Sequence, residues 1–429
     1  GLSHLLLGGT SIAAVVIGTM ALGVVWHLLG IWLAVDLVFL ITGRRLAALV
    51  AGVALAVSAP LAEGAVSGME ITLCGMLLLA SVRALWLGQW LRAGIWFGLC
   101  GLARPESVVP AGICLALVLI DLSRDRGRFP WREAVALLVP GLLLAGLLAG
   151  HNLAATGRLL PATFYFKQDS ALMDLPGRLL IGVHGLLDQV PPFWGWASWL
   201  ALAGFVLPRP SLRILLPAAA GVGFFTANLL VSRPVDPSIF YHLRYLLPAV
   251  PILTVAVCVG AHRLGGVVPA RFGSWPVAAV LILALVGGAW TLVPVSKRYH
   301  NDVRNINEVQ VRMGDWLDYN TPRDAWIAAS DAGAVRYFSR RPVVDLMGLN
   351  TPEFYWDKER YVRRHPVDAL AVMLAWFRPT DGSRIRSYAV METGNYTVTT
   401  FADMNTQTIL AIPDGTEPVP LGLSGLRDI

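Results

Sequence analysis

Apolar runs close to membrane-spanning length recur from the first residues of this chain to about residue 294, and no other feature limits its fold so severely. In hydrocarbon every backbone N–H and C=O must be bonded within the chain, so such runs become helices packed against one another. The runs lie near 3–22, 23–42, 46–62, 71–88, 93–103, 107–121, 134–151, 191–207, 213–231, 246–261 and 275–294. The first two have no polar break between them and read either as two spans or as one long span preceded by an interfacial helix. Only 14% of the residues are charged, against about 25% in soluble domains. The expected fold class is an α-helical polytopic membrane protein: residues 1–296 form a membrane module of about 9–11 segments, and 297–429 a soluble α/β domain.

Charge separates the two parts. Of the 34 Lys and Arg, 18 precede residue 297, where only 11 of the 28 acids lie. That basic excess points to anionic lipid as a partner, not to nucleic acid. Alternate short loops carry 12 basic residues, among them Arg44, Arg45, Arg124, Arg126, Arg128 and Arg132, and the opposite loops carry six. The richer side reads as cytoplasmic, which puts 297–429 outside, as expected for a multi-pass protein of a bacterial inner membrane. Cys74, Cys100, Cys114 and Cys258 all fall in apolar segments, so neither a disulfide framework nor a CxxC metal site is expected. The chain opens on Gly1 with no charged n-region or small-residue cleavage site, and a preceding segment is expected.

Four polar patches converge on the outer side. "AEGAVSGMEITL" holds Glu63 and Glu70, the latter at the mouth of the next helix, where the helix dipole favours a carboxylate. "GLARPES" joins two runs that would make helices of roughly 16–23 Å, too short to cross hydrocarbon alone. Arg104 and Glu106 therefore sit below the membrane surface, either as ligands or as a pair closing the hairpin. "TGRLLPATFYFKQDS" places Arg158 and Lys167 around Phe164, Tyr165 and Phe166, and "SRPVDPSIFYHLRYLLP" brings Arg233, Asp236, His242, Arg244 and Tyr245. Arg and Lys suit a phosphate anion through charge-assisted hydrogen bonds. The competing reading is an interfacial aromatic belt with snorkelling cations. His242 is either a general base or a locally bonded interfacial side chain.

The tail shows a strand at Trp326–Ser330, a polar turn at Asp331, a short helix and a strand ending at Asp345, with "ALAVML" and "NYTVTTF" as further strands. A small three-layer domain fits. Asp331 and Asp345 are candidate ligands, with the turn-forming role leading for Asp331. Tyr355, Trp356 and Trp376 would touch an acceptor if exposed.

"SGMEITL", "GLARPES", "GRLLPATFYFK", "HLRYLLP" and "SDAGAVRYFSRRPVVDLMGL" resemble, in that order, the membrane glycosyltransferases of the GT-C superfamily. The likeness is to the bacterial branch that includes arabinofuranosyltransferases and related polyprenyl-phosphate-dependent enzymes. It implies transfer of a hexosyl or pentosyl unit from a polyprenyl-phosphate donor to a glycan, lipid or protein acceptor outside the membrane. It maps Glu70 to the acid of "GLET", Arg104 and Glu106 to the "RPE" pair, Lys167 to the Lys of "FYAK" and Arg244 to the Arg of "RY". Lys167, Arg244, Arg104 and Arg158 then bind donor phosphate, and Glu106, Tyr165, His242 and Tyr245 line the substrate. Stabilising the departing phosphate would be the catalytic contribution of Lys167 and Arg244.

The chain also departs from that pattern. The family's catalytic Asp lies in a first outer loop resembling "DDAYIS", and no such stretch is present; Ala162 replaces the Asn of "PNT". The general base is thus expected on a preceding segment, on a partner chain supplying the N-terminal part, or not at all, with Glu70 and Glu63 as fallbacks. No metal cluster is visible, and no cofactor beyond the lipid-phosphate sugar is implied, with a divalent ion compatible with the sequence but unsupported by it. An enzyme, a non-catalytic subunit that binds lipid-linked glycan, and a transporter are the three readings. The absence of paired Gly/Pro-interrupted halves disfavours the transporter.

Overall fold

The computed structural model describes residues 12–160, 211–231, 244–346, 351, 353, 360–361, 364–365, 367–373, 386–392 and 406–411. Contacts divide the chain into two compact units, Gly1–His151 with Lys167–Ser296, and Asn152–Phe166 with Lys297–Ile429.

The first unit is helical. Helix α1 runs unbroken over Ile12–Thr42, so the first two apolar runs merge into a single helix from Ile12 onward. Helices α2 (Arg45–Ala56) and α3 (Ala59–Val66) meet at a 58° bend. Pro60, in the first turn of α3, has no N–H with which to continue α2. Then come α4 (Ile71–Trp86), α5 (Trp90–Ala103), α6 (Val108–Arg126) and α7 (Trp131–Thr156). They are followed by α8 (Leu216–Val231), α9 (Val250–Gly265) and α10 (Trp275–Ile306). Among the described residues five helices are long and apolar enough to cross a membrane, or six if the bent pair is one span. Leu142, Leu143 and Leu147 of α7 and Trp290 of α10 are largely exposed, the expected state of side chains that face lipid. This is a multi-pass membrane protein.

With lipid as apolar as leucine, helices in a membrane associate through close packing and polar contacts. Gly23 of α1 lies so close to α3 that a Cβ there would be 2.0 Å from the Ala65 carbonyl oxygen. One turn away in space, Thr72 Oγ1 donates to the Gly23 carbonyl at 2.9 Å, tying α4 to α1. Gly94 and Gly98 form a GxxxG stripe on α5, where a Cβ would meet the Leu137 carbonyl oxygen at 2.5 Å and Leu144 Cδ1 at 2.7 Å. Asp36, a lone acid inside α1, bonds Arg83 of α4, and Asp121 of α6 accepts from Arg213 at 2.7 Å. A continuous core that includes Leu37, Leu55, Leu79, Phe224 and Ile252 fills the space between.

The second unit holds α11 (Arg312–Asn320), β1 (Ile327–Ala329), α12 (Ala332–Ser339), β2 (Val343–Asp345), β3 (Ala369–Met373), β4 (Arg386–Glu392) and β5 (Thr406–Ala411). The sheet order is β2-β1-β3-β5-β4. The first three strands are parallel, with Ala328 opposite both Val344 and Leu370, and β5 pairs antiparallel with β3 and β4. Both faces are buried: Ile327 and Ala329 pack with Met313, Leu317 and Val335, while Ala328 packs with Val344 and Leu370. An α/β tail was expected; β4 and β5 were not foreseen, and "NYTVTTF" lies outside the described residues. Arg341 pins α11 to the start of β2. Its guanidinium bonds Asp318 Oδ1 at 2.8 Å and the carbonyls of Asp318, Thr321 and Ser339 at 2.7, 2.8 and 2.9 Å.

Two substitutions check this packing. Gly94→Leu forces side-chain atoms into the α7 backbone and should lower stability by about 1–3 kcal/mol or more. Arg341→Met strips four acceptors of one donor group and should cost about 3 kcal/mol. Thermal unfolding of the detergent-solubilised chain reads both. The first should reduce cooperativity of the membrane helices, and the second should speed proteolysis within 297–429.

Candidate functional site

Pro105 shapes the site. A residue ahead of proline is pushed out of the helical region, and Arg104 is extended, with φ −148° and ψ 112°. Helix α5 therefore stops at Ala103, closed by the Arg104 N–H on the Cys100 carbonyl at 2.8 Å. Pro105 then opens a single 3-10 turn, Pro105–Ser107, that leads into α6. The break turns the Arg104 side chain into the protein, where it is 5% exposed.

Glu70 receives it. Arg104 Nε and Nη2 both donate to Glu70 Oε1, at 3.0 and 2.8 Å. Glu70 stands directly before α4 yet makes no side-chain capping bond, so its carboxylate turns to the guanidinium instead of the helix N–H groups. Gly75 allows the close fit of the turn Leu247–Ala249 on α4, since a Cβ there would lie 3.2 Å from the Pro248 carbonyl oxygen. Just ahead of that turn, the Tyr245 ring lies 5.1 Å from the Arg104 Cζ and 4.9 Å from the Arg244 Cζ. Both distances are within the ~6 Å reach of a cation over an aromatic face. Beneath Arg104, Cys100 Sγ donates to Ser107 Oγ at 3.2 Å, and Cys74 Sγ sits 3.7 Å from Cys100 Sγ.

Arg104 is thus a buried cation gripped on one edge by Glu70. On its other edge Nη1 is buried and meets no hydrogen-bond acceptor among the described residues. A guanidinium is a planar fork of five donors, and leaving one buried and unbonded costs about 1–3 kcal/mol or more for a charged group. An anion seated at Nη1 would remove that cost.

The structure brings together Glu70, Arg104, Arg244 and Tyr245 of the expected set. The hairpin pairing of Arg104 with Glu106 does not form: the acid that takes Arg104 is Glu70, 34 residues earlier in the chain. Side chains two apart do not face each other on a helical turn, and Glu106 lies half-buried on the turn after Arg104. Glu63 is half-buried in α3. Arg158 is exposed and belongs to the second unit. Lys167, Tyr165 and His242 lie outside the described residues, as do Phe164, Phe166, Arg233, Asp236, Tyr355, Trp356 and Trp376. A carboxylate tied to a guanidinium is a weak proton acceptor, so the geometry favours Glu70 as the side chain that holds Arg104 over Glu70 as a base. Sequence reasoning missed the Thr72–Gly23 and Gly75–Pro248 contacts that align the site; Gly75, amid an apolar helix, was the one readable signal. Among the described residues no group of three or more His, Cys, Asp or Glu gathers as a metal site.

With this geometry in place, comparison with solved structures is informative. The chain matches the crystal structure of ArnT from Cupriavidus metallidurans bound to undecaprenyl phosphate, with TM-score 0.52 and 13% identity over 97% of this chain and 87% of ArnT. The apo crystal structure of the same protein matches with TM-score 0.52 and 13% identity, over 95% and 85% of the two chains. The protein therefore has the GT-C fold, as the motif order implied. Residues 303–415 match a family described as Domain of unknown function (DUF8728). A search of curated protein sequences finds no match.

Coupling across the ion pair is measurable by a double-mutant cycle of Glu70→Gln and Arg104→Met. Breaking a fully buried pair costs about 3–5 kcal/mol. Glu70 is 37% exposed, so the coupling energy from thermal unfolding should fall near 2 kcal/mol. A value near zero would show that the two side chains do not hold each other.

Proposed function

We propose that this protein is a membrane glycosyltransferase that takes its sugar from a polyprenyl-phosphate carrier and delivers it to an acceptor on the extracytoplasmic face. The observation that carries the reading is the buried Arg104 guanidinium, fixed by Glu70 and Tyr245, with Nη1 directed at no acceptor among the described residues. An anion suits that position, and a phosphate reached between apolar helices would be that of a lipid. The solved neighbour of the same fold holds undecaprenyl phosphate.

In this mechanism Arg104 and Arg244 flank Tyr245 and meet the lipid phosphate, with Lys167 as a further ligand. As the sugar leaves, negative charge grows on the phosphate oxygen, and preorganised cations lower the barrier because they need not reorient. Glu70 holds the Arg104 fork in one plane for bidentate contact. The opposed counts of basic residues in alternate loops support a cytoplasmic side rich in Arg, with 297–429 on the extracytoplasmic side of a bacterial inner membrane. There the tail is free to meet a glycan, lipid or protein acceptor.

The test is binding of undecaprenyl phosphate to the full chain in nanodiscs, read by native mass spectrometry. Arg104→Met loses a charge-assisted hydrogen bond and should weaken binding by about tenfold or more. Arg104→Lys should recover only part of it, because an ammonium cannot make the fork. Equal binding by parent and Arg104→Met would overturn the reading. Lipid binding without sugar transfer from a polyprenyl-phosphate donor would leave a non-catalytic lipid-glycan-binding subunit instead.

A further inference from the structure

One helical turn below the Arg104–Glu70 pair, the same two segments meet again through sulfur. Cys74 stands on α4 four residues after Glu70, and Cys100 on α5 four residues before Arg104. Each is bonded through the backbone to the pair above it. The Cys74 N–H donates to the Glu70 carbonyl at 2.9 Å, and the Arg104 N–H to the Cys100 carbonyl at 2.8 Å. Residues four apart share one face of a helix, so α4 and α5 carry two rungs in register, one ionic and one of thiols. The two Sγ atoms are 3.7 Å apart, in van der Waals contact. Ser107 Oγ, from the turn that leads into α6, touches both sulfurs, at 3.2 Å from Cys100 and 3.8 Å from Cys74.

Both cysteines are free thiols and 0% exposed. A single buried cysteine behaves as a small apolar side chain, as Cys114 of α6 does with its Sγ 3.9 Å from the Leu216 carbonyl. Two sulfurs in contact have a reaction that neither has alone. The bonded separation is about 2.05 Å, and torsional adjustment of two side chains already in contact brings the sulfurs to it. Two thiols and one hydroxyl fall short of the closed four-ligand set of a structural zinc. The pair is also near the surface. Glu70, one turn above Cys74, is 37% exposed, which puts the sulfurs about 5.4 Å deeper. Thiol–disulfide exchange needs a bulky disulfide brought up to the attacking thiolate, and this depth excludes one. Hydrogen peroxide, little larger than water, can enter.

We propose that Cys74 and Cys100 are a redox site, a dithiol that hydrogen peroxide converts to a disulfide, clamping α4 to α5 directly beneath the ion pair. Cys100 Sγ attacks one peroxide oxygen and the O–O bond breaks. The departing hydroxide leaves as water with the thiol proton, relayed by Ser107 Oγ. Cys74 Sγ then attacks the sulfenic sulfur formed on Cys100, the S–O bond breaks, and a second water leaves with the Cys74 proton. Two thiols and one peroxide become one disulfide and two waters; the sulfurs lose the electron pair that the peroxide gains.

In the test, the full chain in detergent is treated with hydrogen peroxide, digested without reductant and mapped by mass spectrometry. The expected product is a peptide pair joined through Cys74 and Cys100 and lighter by two hydrogens, with Cys114 and Cys258 unmodified. The oxidised chain should melt several degrees higher than the reduced one, and a phosphine reductant should return it to the starting value. Glutathione disulfide should leave the thiols free. Ser107→Ala should slow the reaction several-fold and still give the same bond.

The clamp holds α4 to α5 where the ion pair otherwise does, so Glu70→Gln should lower the melting temperature less in the oxidised protein than in the reduced one. An unchanged mass, a bond mapped to other cysteines, or sulfinic acid on either residue in place of the bond would overturn the proposal. Equal losses for Glu70→Gln in the two states would refute the clamp. Mapping of the parent chain decides the matter even if Cys100→Ala, the variant in which the bond must vanish, does not fold. The crosslink is read without lipid, so its outcome is separate from that of the phosphate test at Arg104.

Discussion

The ion pair between Arg104 and Glu70 is the contact on which the membrane unit turns. It joins the end of α5 to the beginning of α4 across 34 residues of sequence, at the point where α6 also begins. Taking a guanidinium out of water costs several kcal/mol even after relaxation. One carboxylate oxygen and one aromatic face recover part of that cost, and Nη1 is left over. A purely structural lock would be better made from apolar side chains of equal volume, which often stabilise as much or more. Keeping a charge here fits the anion-binding role proposed for it.

The geometry around that pair is enforced by the backbone more than by side chains. Pro105 breaks the helix at the residue that must turn inward. Gly23 lets α1 approach α3 to a distance that any Cβ would forbid, and Gly75 lets the Leu247–Ala249 turn sit closer to α4 than a Cβ would ordinarily allow. Thr72 then bonds the Gly23 carbonyl, so the residue two places after Glu70 is tied to a different helix. Rigid support of this type is what electrostatic stabilisation requires, because a cation free to relax toward the ground state gives no advantage in the transition state.

These relations also explain which features could be read from sequence. Apolar length alone located most of α1 to α10, since hydrocarbon leaves a helix no competitor, but it split α1 into two runs and joined α2 and α3 in one; Pro after Arg marked the break at the site. The motif order led to the GT-C fold that the ArnT structures share. What failed was partner choice. Glu106 is nearest to Arg104 in sequence, but a 3-10 turn points the two apart, and Glu70 becomes the neighbour only once α4 and α5 pack antiparallel. In the tail, Ile327–Ala329 and Val343–Asp345 were legible because their apolar and β-branched residues stand between turn signals. Arg386–Glu392 was not, because its alternation of polar and apolar residues is weak without the β5 partner that stabilises it.

In the membrane unit the buried donor Arg104 Nη1 meets no acceptor among the described residues. Folding alone does not select such arrangements, since every buried polar group left unbonded subtracts from a net stability of only about 5–15 kcal/mol. The cost is removed when a ligand of opposite character is present, and mass action then converts ligand concentration into stability. An anion site of this type is therefore expected to be softest when empty. That criterion, a missing partner, needs no motif, and Arg104 meets it with a buried charge. Arg341, with four acceptors satisfied inside its own fold, fails it and reads as structure alone.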